Sequence, residues 1–197
     1  QGALGIELLG AILLSFRLIP RFGVIKGIYY SLFHAVSAFC NGGFDLMGTE
    51  EAYSSLVAYE GDILVNLVIV TLILVGGIGF IVWDDVARNK WHFKRYFLHS
   101  KIVITVTFLL TVAGTVFFLI TEQDAAFAGM SPLEKFLGAL FSSVTPRTAG
   151  FNSVDTAALS NSGKLITMVM MFIGGSPGST AGCVKTTSVI VLLFYAG

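Results

Sequence analysis

Apolar residues fall along the chain in long and short runs separated by polar loops. Ala3 to Ile19 is apolar apart from Glu7 and Arg17, and Pro20 ends it. A short connection over 20–30 carries Arg21, Gly23 and Lys26. Ile28 to Phe39 is then an apolar helix of about a dozen residues, too short to cross a bilayer and of the length of a re-entrant segment. It stops at Cys40-Asn41-Gly42-Gly43-Phe44-Asp45, and residues 46–62 are polar. Ile63 to Trp83 reads as one uninterrupted spanning helix, in which Gly76, Gly77 and Gly79 serve close helix contact rather than ligand binding. Ile102 to Ile120 spans again after the polar segment 84–101. Beyond Glu122 and Asp124, Leu133 to Thr145 is a second short apolar helix, ending in Pro146-Arg147-Thr148-Ala149-Gly150-Phe151-Asn152-Ser153.

The last apolar region is broken. Leu165 to Ile173 and Ser188 to Tyr195 together are long enough to cross a bilayer, which takes about 20 residues of helix. Between them lies Gly174-Gly175-Ser176-Pro177-Gly178-Ser179-Thr180-Ala181-Gly182, where glycines and a proline forfeit backbone entropy or a hydrogen-bond donor. Non-helical backbone survives at membrane depth only inside protein or beside water, so the break implies a lined cavity or a pore.

The two halves repeat. Setting Gly43-Phe44 against Gly150-Phe151 gives an offset of 107 residues, which pairs Phe33 with Leu140 and Asp45 with Asn152. Each unit reads span, half-helix, Gly-Phe turn, span, and such repeats build pores and transporters by symmetry.

Composition agrees with a membrane protein: 55% of the 197 residues are hydrophobic, 12% are charged and mean hydropathy is +0.83. A net charge of zero argues against a nucleic-acid surface. Charge also orients the chain. Residues 84–101 hold five Lys or Arg against two acids, while 45–62 hold five acids and no Lys or Arg. The positive-inside rule places 84–101 in the cytoplasm and both half-helices on the outer side. Their Gly-rich turns can then present carbonyl oxygens to a cation, with the negative ends of both helix dipoles pointing the same way. Cys40 and Cys183 read as free thiols. The chain opens on Gln1 and closes in an apolar run, which reads as a piece of a longer protein.

Three stretches in this order resemble the Trk/Ktr/HKT superfamily of potassium transporters, most closely the bacterial Ktr and Trk membrane subunits. They are Phe33 to Leu46, Ser143 to Asn152, and the loop over 174–187. The resemblance implies an all-α membrane protein of tandem span–pore helix–span repeats, with re-entrant filter loops and a broken last helix. It implies the second and third of four units around one pore: a repeat over 1–83, a cytoplasmic linker over 84–101, and a second repeat over 102–197. It further implies a potassium filter in which Asn41, Gly42, Gly43 and Phe44 form one loop and Thr148, Ala149, Gly150 and Phe151 the next, K+ resting on their backbone carbonyls. The family pattern in the first loop is Asn-Ala-Gly-Phe, and Gly42 replaces its Ala here. The stretch Gly174, Gly175, Ser176, Pro177, Gly178, Ser179, Thr180, Ala181 and Gly182, with Lys185 after it, corresponds to an intramembrane gating loop beneath the filter. By the same resemblance the subunit is a multi-pass protein of the cell membrane that works as a homodimer with a cytoplasmic nucleotide-binding ring. Na+ coupling stays open, and no organic cofactor is implied for this chain.

Other residues carry competing readings. Asp45 and Asp155 concentrate cations at the mouth or are solvated turn residues. Arg147 braces the filter through a carboxylate or loop carbonyls, in preference to gating directly. His34 is a satisfied core histidine. Glu7 is an intramembrane functional acid or an interfacial one. Lys185 positions the gating loop, with snorkelling to the inner surface as the alternative. The segment 84–101 is a solvated connection, or, through Trp91-His92-Phe93 and Tyr96-Phe97, a membrane-surface helix or docking face. Enzymatic readings fail on spacing: Cys183 and Val184 separate Gly182 from Lys185, which a phosphate loop does not allow. The remaining alternative to an ion-conducting subunit is a transporter-like membrane protein acting as a sensor or assembly partner.

Overall fold

Long apolar runs satisfy their backbone polar groups within the segment only as helix, and most of the described chain takes that solution. The computed structural model describes residues 2–49, 55–90 and 92–196. Glu50, Glu51 and Trp91, used above in the charge and surface-helix readings, lie outside the described residues. Among the described residues the α-helices are α1 (Gly2–Phe22), α2 (Val24–Phe39), α3 (Ile63–Ile78), α4 (Phe80–Asn89), α5 (Leu98–Thr121), α6 (Pro132–Val144), α7 (Asn161–Phe172) and α8 (Thr186–Ala196). The protein is all-α, with a single isolated bridge between Ile173 and Val184 among the described residues.

Helices α1 and α5 are long and apolar enough to cross a membrane, and the bent α3–α4 pair makes a third span if counted as one. Helices α7 and α8 flank the loop over 173–185, so the last apolar region is broken where its glycines fall. Two boundaries differ from the sequence pattern. Pro20 does not end α1: it lies inside the helix, which runs on to Phe22 although proline has no N–H to offer the carbonyl of Phe16. The reversal comes at Gly23, with φ +81°, and α2 begins at Val24, so most of 20–30 is helix.

The larger correction concerns Ile63 to Trp83. It is not one helix: the axis turns by 95° at Gly79, whose φ is +90°. Gly76, Gly77 and Gly79 therefore do not sit in an uninterrupted helix. The segment 84–101 is also more ordered than a solvated connection, since α4 runs to Asn89 and Asp85 is fully buried. Asp85 accepts from Asn89 Nδ2 at 2.7 Å and from the Phe97 N–H at 2.8 Å, which ties α4 to the start of α5.

The first core lies among α1, α2, α3 and α6, around Leu14, Leu18, Ala35, Phe39, Ile69 and Phe141, and it takes in Phe151 from the second unit. A second core under α5, α6 and α7 holds Phe118, Phe127, Ala139 and Met170. Glu122, at the end of α5, is also fully buried. It accepts from the Ser160 N–H at 2.9 Å and the Ser160 hydroxyl at 2.5 Å, while Ser160 caps α7 by accepting from the Gly163 N–H. Glu122→Ala leaves the half-buried Ser160 donors without their carboxylate. It should lower stability by about 2 kcal/mol, read by thermal unfolding of the full-length protein in detergent, and an unchanged midpoint would remove Glu122 from the α7 cap.

Candidate functional site

The two half-helices α2 and α6 end at turns with the same backbone signature. In the first, Asn41 has φ +52° and Gly43 φ +69°; in the second, Thr148 has φ +83° and Gly150 φ +86°. These are the residue pairs related by the 107-residue offset. Asparagine tolerates this region, but a β-branched residue such as Thr148 is strained there, and such strain persists only where the surroundings impose it. The turns direct their N–H groups back into the last helical turn: Gly42 N–H to Ser37 O at 2.8 Å, and Ala149 N–H to Thr145 O at 3.0 Å. Hydroxyls close each turn, with Ser37 Oγ donating to Phe44 O at 2.8 Å and Thr145 Oγ1 to Phe151 O at 2.5 Å. No hydrogen bond among the described residues occupies the carbonyls of residues 41–43 or 148–150.

The two turns touch. A Cβ on Gly43 would overlap Ala149 O and stand 2.9 Å from Gly150 Cα, so both its φ and its surroundings demand glycine. Phe151 is fully buried with its ring 6.3 Å from that of His34, whereas its counterpart Phe44 is 72% exposed. His34 is buried and satisfied, as its sequence context suggests: Nδ1 lies 2.6 Å from Tyr30 O, and Nε2 accepts the Leu46 N–H. Asp45 and Asp155 each close a local turn, accepting the N–H of Met47 and Ala157 respectively.

The loop over 174–182 packs on the break in α3, and the two explain each other. A helix that stops leaves its last carbonyls without partners. Here Gly77 O accepts the Ser176 N–H at 3.0 Å, Ile78 O accepts the Ser176 hydroxyl, and Gly76 O accepts the Thr180 N–H at 3.5 Å. In return the first N–H of α4, on Phe80, donates to Gly178 O at 3.0 Å. A Cβ on Gly79 would lie 2.8 Å from Ser176 Oγ. The base of the loop is closed by the Gly174 N–H on Val184 O and the Thr186 N–H on Gly175 O. Lys185 donates to Ala181 O at 2.6 Å, so its amine holds the loop itself.

The loop also reaches the first turn. Thr180 Oγ1 donates to Phe39 O at 3.0 Å and accepts from Asn41 Nδ2 at 3.0 Å. Arg147 is buried and its Nη2 donates to Thr111 Oγ1 on α5 at 2.7 Å. Its partner is thus a hydroxyl of the neighbouring helix, not the carboxylate or loop carbonyl that the sequence suggested. The structure brings together Asn41, Gly42, Gly43, Ala149, Gly150 and Thr180. Sequence reasoning missed the break at Gly79 and the hydroxyls of Ser37 and Thr145, whose only local signal is their place a turn or two before each Gly-Phe pair.

Residues 3–194 match the protein family described as TrkH, cation transport protein. The chain belongs to this family. The potassium/sodium uptake protein NtpJ of Enterococcus hirae is 45% identical to it over 192 residues, 97% of this chain and 41% of that protein. The Ktr system potassium uptake protein B of Bacillus subtilis is 42% identical over 193 residues, 97% of this chain and 42% of that protein. The crystal structure of the potassium transporter TrkH from Vibrio parahaemolyticus matches with a TM-score of 0.72 at 22% identity, covering 96% of this chain and 38% of that one, and shows the same fold. This TrkH-family chain therefore spans about two-fifths of the length of the curated relatives it matches.

Proposed function

We propose that this chain supplies two units of a potassium-conducting pore, with residues 41–44 and 148–151 as neighbouring filter loops and residues 174–182, with Lys185, as the gate beneath them. The observation that carries this reading is the paired turn: equal left-handed positions, N–H groups turned inward, and carbonyls at 41–43 and 148–150 that accept no hydrogen bond among the described residues. Carbonyls so arranged can replace the hydration shell of a cation, and the C-terminal ends of α2 and α6 add negative potential behind them. Phe44 and Phe151 close the loops, their carbonyls being held by hydroxyls. Phe151 is buried against the preceding unit, and the exposed Phe44 suits a further unit of the same kind on its own side. The repeats 1–83 and 102–197 are then two of four, with 84–101 and the positive charge it carries on the cytoplasmic side.

The names of the relatives support potassium as the transported ion and keep sodium open as a second or coupling ion. A homodimer of the membrane subunit with a cytoplasmic nucleotide-binding ring completes the proposal. The full-length protein, expressed in cells lacking their own potassium uptake, should restore growth at low external potassium and take up potassium in preference to sodium. Folded, membrane-inserted protein that gives no uptake with its regulator present would favour the sensor or assembly reading instead.

A further inference from the structure

We propose that the cavity between Asn41 and Arg147 is a binding site for one water molecule, which joins the two Gly-Phe turns to the loop that packs on α3. The cavity, about 20 Å³, is lined by Asn41, Ile73, Thr107, Val144, Arg147 and Gly174. Arg147 is 7% exposed and Asn41 8%. Each contributes a buried polar atom that has no hydrogen-bond partner among the described residues, Arg147 Nε and Asn41 Oδ1. Buried polar groups are as a rule satisfied by protein or by ordered water, and a cavity of this size accommodates one water molecule.

The two atoms select the occupant. Arg147 Nε–H can only donate, and Asn41 Oδ1 can only accept. The orientation of the Asn41 amide follows from its neighbours. The Thr180 hydroxyl spends its proton on Phe39 O, so toward Asn41 it must accept, and the amide NH2 lies there at 3.0 Å. The same NH2 faces Phe39 O and Ile73 O, both acceptors, which leaves Oδ1 on the other side. A halide would satisfy Arg147 Nε–H but repel Oδ1, and a metal cation would meet the guanidinium charge. Water alone does both tasks, accepting from Nε–H and donating to Oδ1. The chain of contacts then runs from Thr111 on α5 through Arg147, the water and Asn41 to Thr180. A shift of the loop at Thr180 is thereby felt at both turns. That consequence for selectivity rests on the filter reading above; the water site does not.

The test is a structure of the full-length protein at a resolution that shows buried waters, with bromide-soaked crystals beside it. One peak within hydrogen-bond distance of both Arg147 Nε and Asn41 Oδ1, without bromide anomalous signal, is the expected result. No peak there, where other buried waters are visible, or a bromide peak, would overturn the site. Val144→Ile adds a methylene to the cavity wall and should expel the water and lower potassium-over-sodium discrimination several-fold. Thr180→Val removes the hydroxyl that orients the amide and should weaken the same peak, which keeps a second test should the isoleucine variant fail to fold. Loss of the water with discrimination unchanged would overturn the link between loop and filter. A protein that holds the water but conducts no potassium would instead refute the filter reading.

Discussion

Gly43→Ala in the full-length protein is expected to reduce potassium uptake and its preference over sodium by about tenfold or more. The estimate follows from strain: holding an L-residue in the left-handed region costs roughly 1–2 kcal/mol, and 1.4 kcal/mol is about a factor of ten in an equilibrium. The overlap of the new Cβ with Ala149 O adds to this, and relieving it moves the neighbouring turn as well. Gly150→Ser should act more mildly. Its φ is +86°, but the nearest atom to a Cβ there, Gly43 Cα, is 3.5 Å away, so the side chain finds room. Selectivity should fall while membrane insertion is unaffected. Rubidium uptake with sodium as competitor checks both variants. A Gly43→Ala protein that transports like the parent would remove this position from the filter.

Gly79→Ala should release the loop over 174–182, the proposed gate, from its seat at the break between α3 and α4. The substitution strains a residue at φ +90° and sets a Cβ 2.8 Å from Ser176 Oγ and 2.9 Å from Pro177 O. Either α3 and α4 straighten or the loop withdraws. Both outcomes break the bonds from Ser176 N–H to Gly77 O and from Phe80 N–H to Gly178 O. Flux should rise and depend less on the regulator, with a stability loss of about 1–2 kcal/mol from the strain alone. Deleting Gly175 to Ala181 should act in the same direction at greater cost to the fold, because the carbonyls of Gly76, Gly77 and Ile78 lose their donors. Flux measured with and without the regulator, on protein shown to be folded, decides the matter. Folded Gly79→Ala protein whose flux stays low and fully regulated would deny the loop a gating role.

The offset of 107 residues, read from two Gly-Phe pairs, is written into the backbone as left-handed residues at 41 and 148 and at 43 and 150. Positions 43 and 150 are legible because glycine marks conformations that other residues avoid, whereas Asn41 and Thr148 carry no such mark. The half-helices are legible for a different reason, since their apolar runs are too short to span. The break at Gly79 is not legible locally. Apolar residues continue on both sides without proline, and the donors that make a broken helix tolerable come from Ser176 and Thr180, far along the chain. The repeat itself held a hint: α4 starts at Phe80 and α8 at Thr186, close to the same offset. Arg147 shows the opposite limit. Its burial could be guessed from its place between two apolar segments, but its partner on α5 depends on how α6 packs.

Crystals of the full-length protein soaked in rubidium or thallium test whether these turns bind a cation. The anomalous difference map should show a peak on the pore side of the paired turns, within coordination distance of carbonyls from residues 41–43 and 148–150. Strong anomalous peaks elsewhere along the pathway with none at these turns would contradict the assignment of residues 41–44 and 148–151 as a potassium filter.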